Sequence, residues 1–187
     1  VELHLHHRHH DQLRQPQPGR RPVEPLWYTG RIMGQTVART LCGEPKAYDP
    51  GIWFNSAKFF DLEWQVYGAI PAALPEGIGT LYWQDRAKDR AIRINYRESD
   101  RVVTGFNVMG IRYRHELCHE WLRDERPLDF VLENLGAANF DPELYQQHEA
   151  QLLAVYNERF PDEKLKLRRR RGLRALFSAR DAARALG

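Results

Sequence analysis

The sequence predicts an α+β protein: a small antiparallel β-meander sheet with flanking helices, one helix before it and further helices at the C-terminus. Two changes of hydrophobic spacing predict this fold class. From Gly79 to Gly110 apolar residues recur with a period of two, and beyond Arg114 they recur at helical spacing. The length of 187 residues suits one ordinary domain with a tail and leaves little room for two complete nucleotide-binding domains.

The first part of the chain predicts an irregular lead-in, one helix and a crossing segment. Residues 1–26 contain a His-rich start and four prolines that disfavour helix. Thr29 is predicted to cap a helix over residues 30–41, with Gly43 as its stop. The helix prediction depends on the apolar spacing of Ile32, Met33, Val37 and Leu41. Two glycines and two prolines in residues 43–51 place a boundary near Asp49.

The middle of the chain predicts the sheet. The aromatic stretch 52–70 is expected to lie in the core, and its end from Leu62 to Ile70 is predicted to form a strand. Three consecutive antiparallel strands are predicted in TLYWQD, AIRINYR and RVVTGFNVMG, joined by polar stretches of hairpin length. Apolar residues at helical spacing follow and predict the helices after the sheet. They are Leu117 and Trp121, then Leu128, Val131, Leu132 and Leu135, and then Leu144, Leu152, Leu153 and Tyr156. We therefore divide the chain into residues 1–48, an α+β unit at 49–160 and a basic helical tail at 161–187.

Charge and cysteine content exclude several classes of protein. The net charge of +3 is concentrated in residues 161–187, where nine Lys and Arg stand against three Asp and Glu. This tail could bind phosphates, anionic lipid or an acidic partner, but a solvated helix is the favoured interpretation, and the lack of interleaved aromatics argues against nucleic acid. No apolar run is long enough for a membrane span. Cys42 and Cys118 lie too far apart in sequence for a CxxC pair, and no signal peptide is visible, so we expect a cytoplasmic protein.

Two histidine patterns could in principle bind metal. The segment HELCH, from His115 to His119, would place two imidazoles one turn apart on a helix, with Glu116 as a general base. No third-ligand signature follows it, so ordinary helix residues are the favoured interpretation. The five histidines among the first ten residues could chelate a transition metal, but such a flexible cluster binds metal adventitiously. We therefore expect no metal site.

Nucleotide-binding motifs are missing from the sequence. It contains no GxGxxG, no Walker loop and no GxSxG. A diphosphate needs backbone amides at a glycine-rich helix start within a βαβ unit. The chain alone is therefore expected to bind no dinucleotide.

Residues 18–68 nevertheless resemble the C-terminal part of FAD-dependent pyridine nucleotide-disulphide oxidoreductases of the ferredoxin-reductase and apoptosis-inducing-factor type. In that family a helix of the FAD domain ends in a glycine, and the chain then crosses into a small interface domain. The features that match are Glu24, the helix ending at Leu41 and Gly43, the crossing at Tyr48–Pro50, Trp53 with Phe54, and Gln65 with Gly68. The predicted sheet and the helices after it resemble the interface domain, to about residue 145.

The resemblance implies a flavin site shared with a missing FAD- and NAD(P)-binding part. Backbone amides around Trp27, Tyr28 and Thr29 would face the flavin, and Trp53 and Phe54 would wall its pocket, although plain core packing is the alternative for both rings. FAD would take hydride from NAD(P)H and pass electrons to an acceptor such as an acidic carrier protein. The chain would then be inactive alone.

Two other functions stay open at this point. One is a non-catalytic dimerisation or docking module, in which the sheet makes a protein interface, with a second copy or another partner, and the basic tail docks an acidic protein. The other, ranked last, is a zinc hydrolase at His115, Glu116 and His119.

Overall fold

The computed structural model describes residues 11–12, 23–85, 87–140 and 147–168. The elements in chain order are β1 (Asp11–Gln12), β2 (Val23–Glu24), α1 (Trp27–Leu41), β3 (Phe54–Phe59), β4 (Leu62–Gly68), β5 (Ile78–Asp85), β6 (Arg90–Arg97), β7 (Val103–Met109), α2 (His115–Arg123), α3 (Leu128–Ala138) and α4 (Glu149–Arg159). The predicted α+β fold class is confirmed. No helix within these described ranges is both long and apolar enough to cross a membrane.

The main sheet has five antiparallel strands in the order β3-β4-β7-β6-β5. The three consecutive strands predicted from the period of two are β5, β6 and β7, which form a meander as expected. The predicted strand in residues 62–70 is β4, and it pairs with β7 rather than with β5, the strand that follows it in sequence. The hairpin partner of β4, strand β3, was not predicted. It forms one edge of the sheet.

The core lies between one face of this sheet and helices α2, α3 and α4. Leu81, Ile94, Phe106 and Tyr67 lie in one row across four strands, and each is at most 3% exposed. Because alternate residues of a strand share a face, the period of two in the sequence produces this continuous apolar layer. Helix α2 packs on β7 and β4, and α4 packs on β5.

Helix α1 begins earlier than the sequence predicted. It runs from Trp27, with Leu26 in the N-cap position, so Thr29 lies inside the first turn and is not the cap. The Thr29 hydroxyl instead donates to the buried carboxylate of Glu24 at 3.0 Å. The predicted stop is confirmed: the helix ends at Leu41, and Gly43 follows with a left-handed φ of 86°.

The C-terminal part differs from the predicted helical tail. Residues 161–168 contain no helix, and Leu165 and Leu167 pack against the core. The backbone amide of Arg168 donates to the carbonyl of Glu133 in α3 at 2.8 Å. Residues 169–187, and with them most of the predicted basic tail, lie outside the described residues, as does Leu144.

Candidate functional site

The beginnings of α1 and β3 meet in space and bring two of the predicted site residues together. The rings of Tyr28 and Phe54 lie 4.5 Å apart between centroids, tilted by 47°. The Tyr28 hydroxyl lies 3.2 Å from the Ser56 hydroxyl, within hydrogen-bond distance. Tyr28 also has the ring of Trp27 edge-on at 5.4 Å. The start of α1 is therefore held against the edge strand by ring packing and a polar contact.

The first residue of α2 extends this packing. The imidazole of His115 lies 4.3 Å from the Phe54 ring and 5.4 Å from the Tyr67 ring, and His119 lies 5.8 Å beyond it. We name Tyr28, Phe54, Tyr67, His115 and His119 the ring cluster. It joins α1, the β3–β4 hairpin and α2, which are three segments well separated in sequence.

Burial shifts the pKa values of two members of the ring cluster, His115 and Tyr67, towards the uncharged form. It lowers the pKa of His115, the neighbouring His119 lowers that pKa further, and Glu116 partly opposes the shift. Burial also raises the pKa of Tyr67, so its phenol stays protonated. The Nδ1 atoms of His115 and His119 are both buried without a hydrogen-bond partner. A proton added to His115 would therefore leave an N–H at Nδ1 where no acceptor waits.

The geometry disfavours the zinc hypothesis for HELCH. Metal-bound imidazoles almost always donate their second ring nitrogen to an acceptor, and neither buried Nδ1 atom has one. In the part of the chain that the structure describes, no three His, Cys, Asp or Glu side chains are grouped so that they could hold a metal ion. The histidines of residues 1–10 lie outside the described residues.

Of the other three predicted site residues, Trp27 contacts the ring cluster through Tyr28, whereas the described contacts of Thr29 and Trp53 lead elsewhere. Trp27 is 68% exposed, with the guanidinium of Arg31 5.5 Å from its ring centre. The Thr29 side chain is occupied by Glu24. Trp53 is half-buried, and its carbonyl accepts the amide of Gly68 at 2.7 Å. Of the five predicted residues, Tyr28 and Phe54 are thus in ring contact.

His115 belongs to this site, although the sequence indicated only a metal ligand or an ordinary helix residue at this position. The signal was present, because HELCH begins soon after the last strand and its first residue opens a helix. What the sequence lacked was the position of β3. Only the pairing of β3 with β4 brings Phe54 beneath that imidazole.

A second histidine site lies between β5, β6 and the start of α4. His148 is 8% exposed, its ring stacks on Trp83 at 5.3 Å, and its Nε2 lies 3.2 Å from a guanidinium nitrogen of Arg90. Next to it, the buried Glu149 carboxylate accepts from the Asn139 amide at 2.7 Å. Arg90 donates to a neutral imidazole here, so a proton on His148 would oppose this contact.

We expect His148 to make the protein less stable in mild acid. Burial and Arg90 lower its pKa below 6.5, Lys88 adds to this shift, and Glu149 and Asp85 partly oppose it. Above about pH 6.5 both states carry a neutral ring; below it the unfolded chain takes up a proton that the folded chain resists. Urea unfolding at pH 5 and pH 7.5 should therefore show a loss of stability in acid that is smaller in His148→Gln. An equal loss in both proteins would contradict this assignment.

Comparison with known proteins finds no matching family profile and no curated protein with significant similarity. The function of the chain is therefore inferred from the residues described above.

Proposed function

We propose that this chain is the C-terminal part of a FAD-dependent NAD(P)H oxidoreductase, which contributes one wall of the flavin pocket and an interface to the nucleotide-binding part. The observation that carries the proposal is the contact between Tyr28 and Phe54 at 4.5 Å. These residues lie on opposite sides of the predicted domain boundary near Asp49. A wall built from both sides of such a boundary is typical of cofactor pockets between domains.

The start of α1 fits an electron-rich ring edge. Leu26 supplies no side-chain hydrogen bond to the first turn, and that turn contains no acidic residue of its own, although the buried Glu24 carboxylate accepts from the Thr29 hydroxyl beside it. Helix N-termini carry partial positive charge, which favours acceptor atoms and anions. Tyr28 and Phe54 add the apolar aromatic surface that a planar ring packs against. The flavin would supply the hydride and electron chemistry, and this chain would position it and exclude water.

The exposure of α1 supports the proposal that another polypeptide surface covers this helix. Of its 15 residues only Thr29 is buried, while Trp27 and Leu41 are 68% and 70% exposed. Half-buried Ile32, Met33 and Val37 lie at the helical spacing that marks a packing face. An amphipathic helix gains most of its stability from packing, so a nucleotide-binding part that covers α1 would stabilise it.

The proposal predicts that flavin appears only in the assembled protein. The chain should be purified alone and together with any nucleotide-binding polypeptide that is encoded beside it, and the flavin absorbance measured. We expect no stoichiometric flavin on the chain alone, because it has no glycine loop for the diphosphate, and about one flavin per assembly. In the assembly, Phe54→Ala should weaken flavin retention and change flavin fluorescence, because Phe54 belongs to the proposed wall.

The matched control for that variant is Phe60→Ala, which changes a 98% exposed ring on the same hairpin. It should leave flavin retention unchanged. Equal retention in the two variants would remove Phe54 from the flavin site. A colourless assembly, or the lack of any nucleotide-binding polypeptide, would contradict the whole proposal.

A docking module is the second candidate function, and the tip of the β3–β4 hairpin favours it. Phe59 and Phe60 are 60% and 98% exposed there. Phe60 also has a left-handed φ of 53°, an uncommon conformation for a bulky residue. Exposed aromatic rings on a rigid hairpin are typical of protein contacts. If this function is correct, Phe60→Ala should weaken self-association or partner binding while the flavin experiment gives a colourless protein.

A further inference from the structure

We propose that His115 is the positioning residue of the ring cluster: its neutral imidazole holds Phe54 against Tyr28, so that one protonation event controls the shape of this wall. The ligand class, a planar electron-deficient ring such as a flavin, rests on the proposed function. The positioning role rests on the geometry of the chain itself.

Phe54 lies between two rings that come from different elements. Tyr28 of α1 approaches it to 4.5 Å and His115 of α2 to 4.3 Å, with interplanar angles of 47° and 48°. Strand β3 is an edge strand, paired only with β4 in the described sheet. Its first residue has no strand on its other side, so the flanking rings supply much of the side-chain packing that holds Phe54 in position.

His115 is the fixed member of this arrangement. It is the first residue of α2, and further along the same helix Cys118 is 0% exposed and Trp121 is 4% exposed. The Trp121 ring packs against Phe106 at the centre of the sheet, at 6.3 Å. Helix α2 is thus anchored in the core, whereas α1 is largely exposed. The anchored helix α2 therefore fixes the position of His115. His115 in turn supports the Phe54 ring, and Phe54 supports the Tyr28 ring.

The surroundings of His115 require a neutral ring. The titratable groups that act on it or lie against it are His119 and Glu116 from its own helix and Tyr67 from β4, while Tyr28 of α1 contacts Phe54. The side chain that β3 contributes is the uncharged Phe54. The buried Nδ1 atom has no partner, so a proton there would add an unsatisfied donor beside a second imidazole. Protonation would therefore drive the ring towards water, and Phe54 would lose its support.

The test uses the full 187-residue chain without flavin, followed by NMR of its aromatic and imidazole resonances between pH 4.5 and 8. We expect the Tyr28 and Phe54 ring signals to shift with the same midpoint as the imidazole of His115. In His115→Phe, which keeps a ring but cannot titrate, these two signals should become independent of pH. Their values should stay close to those of the wild type at pH 8.

His119→Gln is the matched control, because His119 lies one turn further along α2 and its Nδ1 is also buried without a partner. The variant should keep the coupled shifts. It should move their midpoint upward, because His119 lowers the pKa of His115. If any substitution in α2 disturbed the ring cluster by changing the helix itself, the coupled shifts would be lost in both variants.

The proposal is overturned if the Tyr28 and Phe54 signals ignore the titration of His115, or if their pH dependence persists in His115→Phe. Neither outcome involves flavin, so each leaves the proposed function standing. A colourless assembly with intact coupling would instead remove the flavin and keep His115 as the positioning residue.

Discussion

Phe106→Ala is expected to lower the free energy of unfolding by about 3–5 kcal/mol, which is a large share of the total stability of a domain of this size. Phe106 is 0% exposed in β7, with Tyr67 of β4 and Ile94 of β6 as its cross-strand partners. The Trp121 ring covers it from α2. Truncation would leave a cavity bounded by the sheet and a helix, neither of which can move in to fill it. Urea unfolding at neutral pH measures the loss.

Phe60→Ala is the control for the same chemical change without burial. The ring is 98% exposed at a hairpin turn, so its removal should change stability by no more than about 0.5 kcal/mol. If Phe106→Ala costs no more than Phe60→Ala, the sheet and helices are not packed as the structure describes.

Gly68→Ala is expected to cost about 2–4 kcal/mol and to disturb the site as well as the fold. Gly68 ends β4 with a left-handed φ of 69°, and a Cβ there would lie 2.4 Å from the backbone oxygen of Thr104. That oxygen accepts the amide of Ala69, so relief of the clash would break a hydrogen bond of the sheet. The Gly68 amide also donates to the carbonyl of Trp53, directly before Phe54.

Gly43→Ala distinguishes backbone strain from the clash with Thr104 as the cause of this loss of stability. Gly43 has a φ of 86°, but a Cβ there would have no atom within 4 Å. Its substitution should therefore cost only the backbone strain, roughly 1 kcal/mol. Thermal unfolding of both variants gives the comparison, and NMR of the Phe54 ring reports the effect on the site. Equal losses would show that the close contact at Thr104 carries no energy.

Strands β5, β6 and β7 were predicted from the sequence because one face of each strand is buried. In β5, β6 and β7 the side chains that alternate into the core produce a period of two, and the turns between them have hairpin length. Strand β3 is an edge strand whose burial does not alternate cleanly, so its residues carry no such period. The pairing of β4 with β7 was equally invisible, because a contact between distant strands leaves no local pattern.

The start of α1 was misplaced for a related reason. Thr29 is a favourable cap residue by its intrinsic preference, but a buried contact with Glu24 takes its hydroxyl. A buried tertiary contact thus outweighed the local N-cap preference of Thr29, which is worth about 1 kcal/mol. The stop at Gly43 was predicted correctly, because a left-handed residue after a helix is a local requirement.

For the candidate site, the sequence by itself determined the residue types and their order along the chain. These are aromatic residues at the start of α1 and of β3, a histidine pair one turn apart, and no glycine loop for a diphosphate. The tertiary structure alone decided that Tyr28, Phe54 and His115 are neighbours, and that neither histidine has the partner that a metal site needs. The reason is physical: chemical type is a property of each residue, whereas proximity depends on strand pairing and helix packing between distant segments.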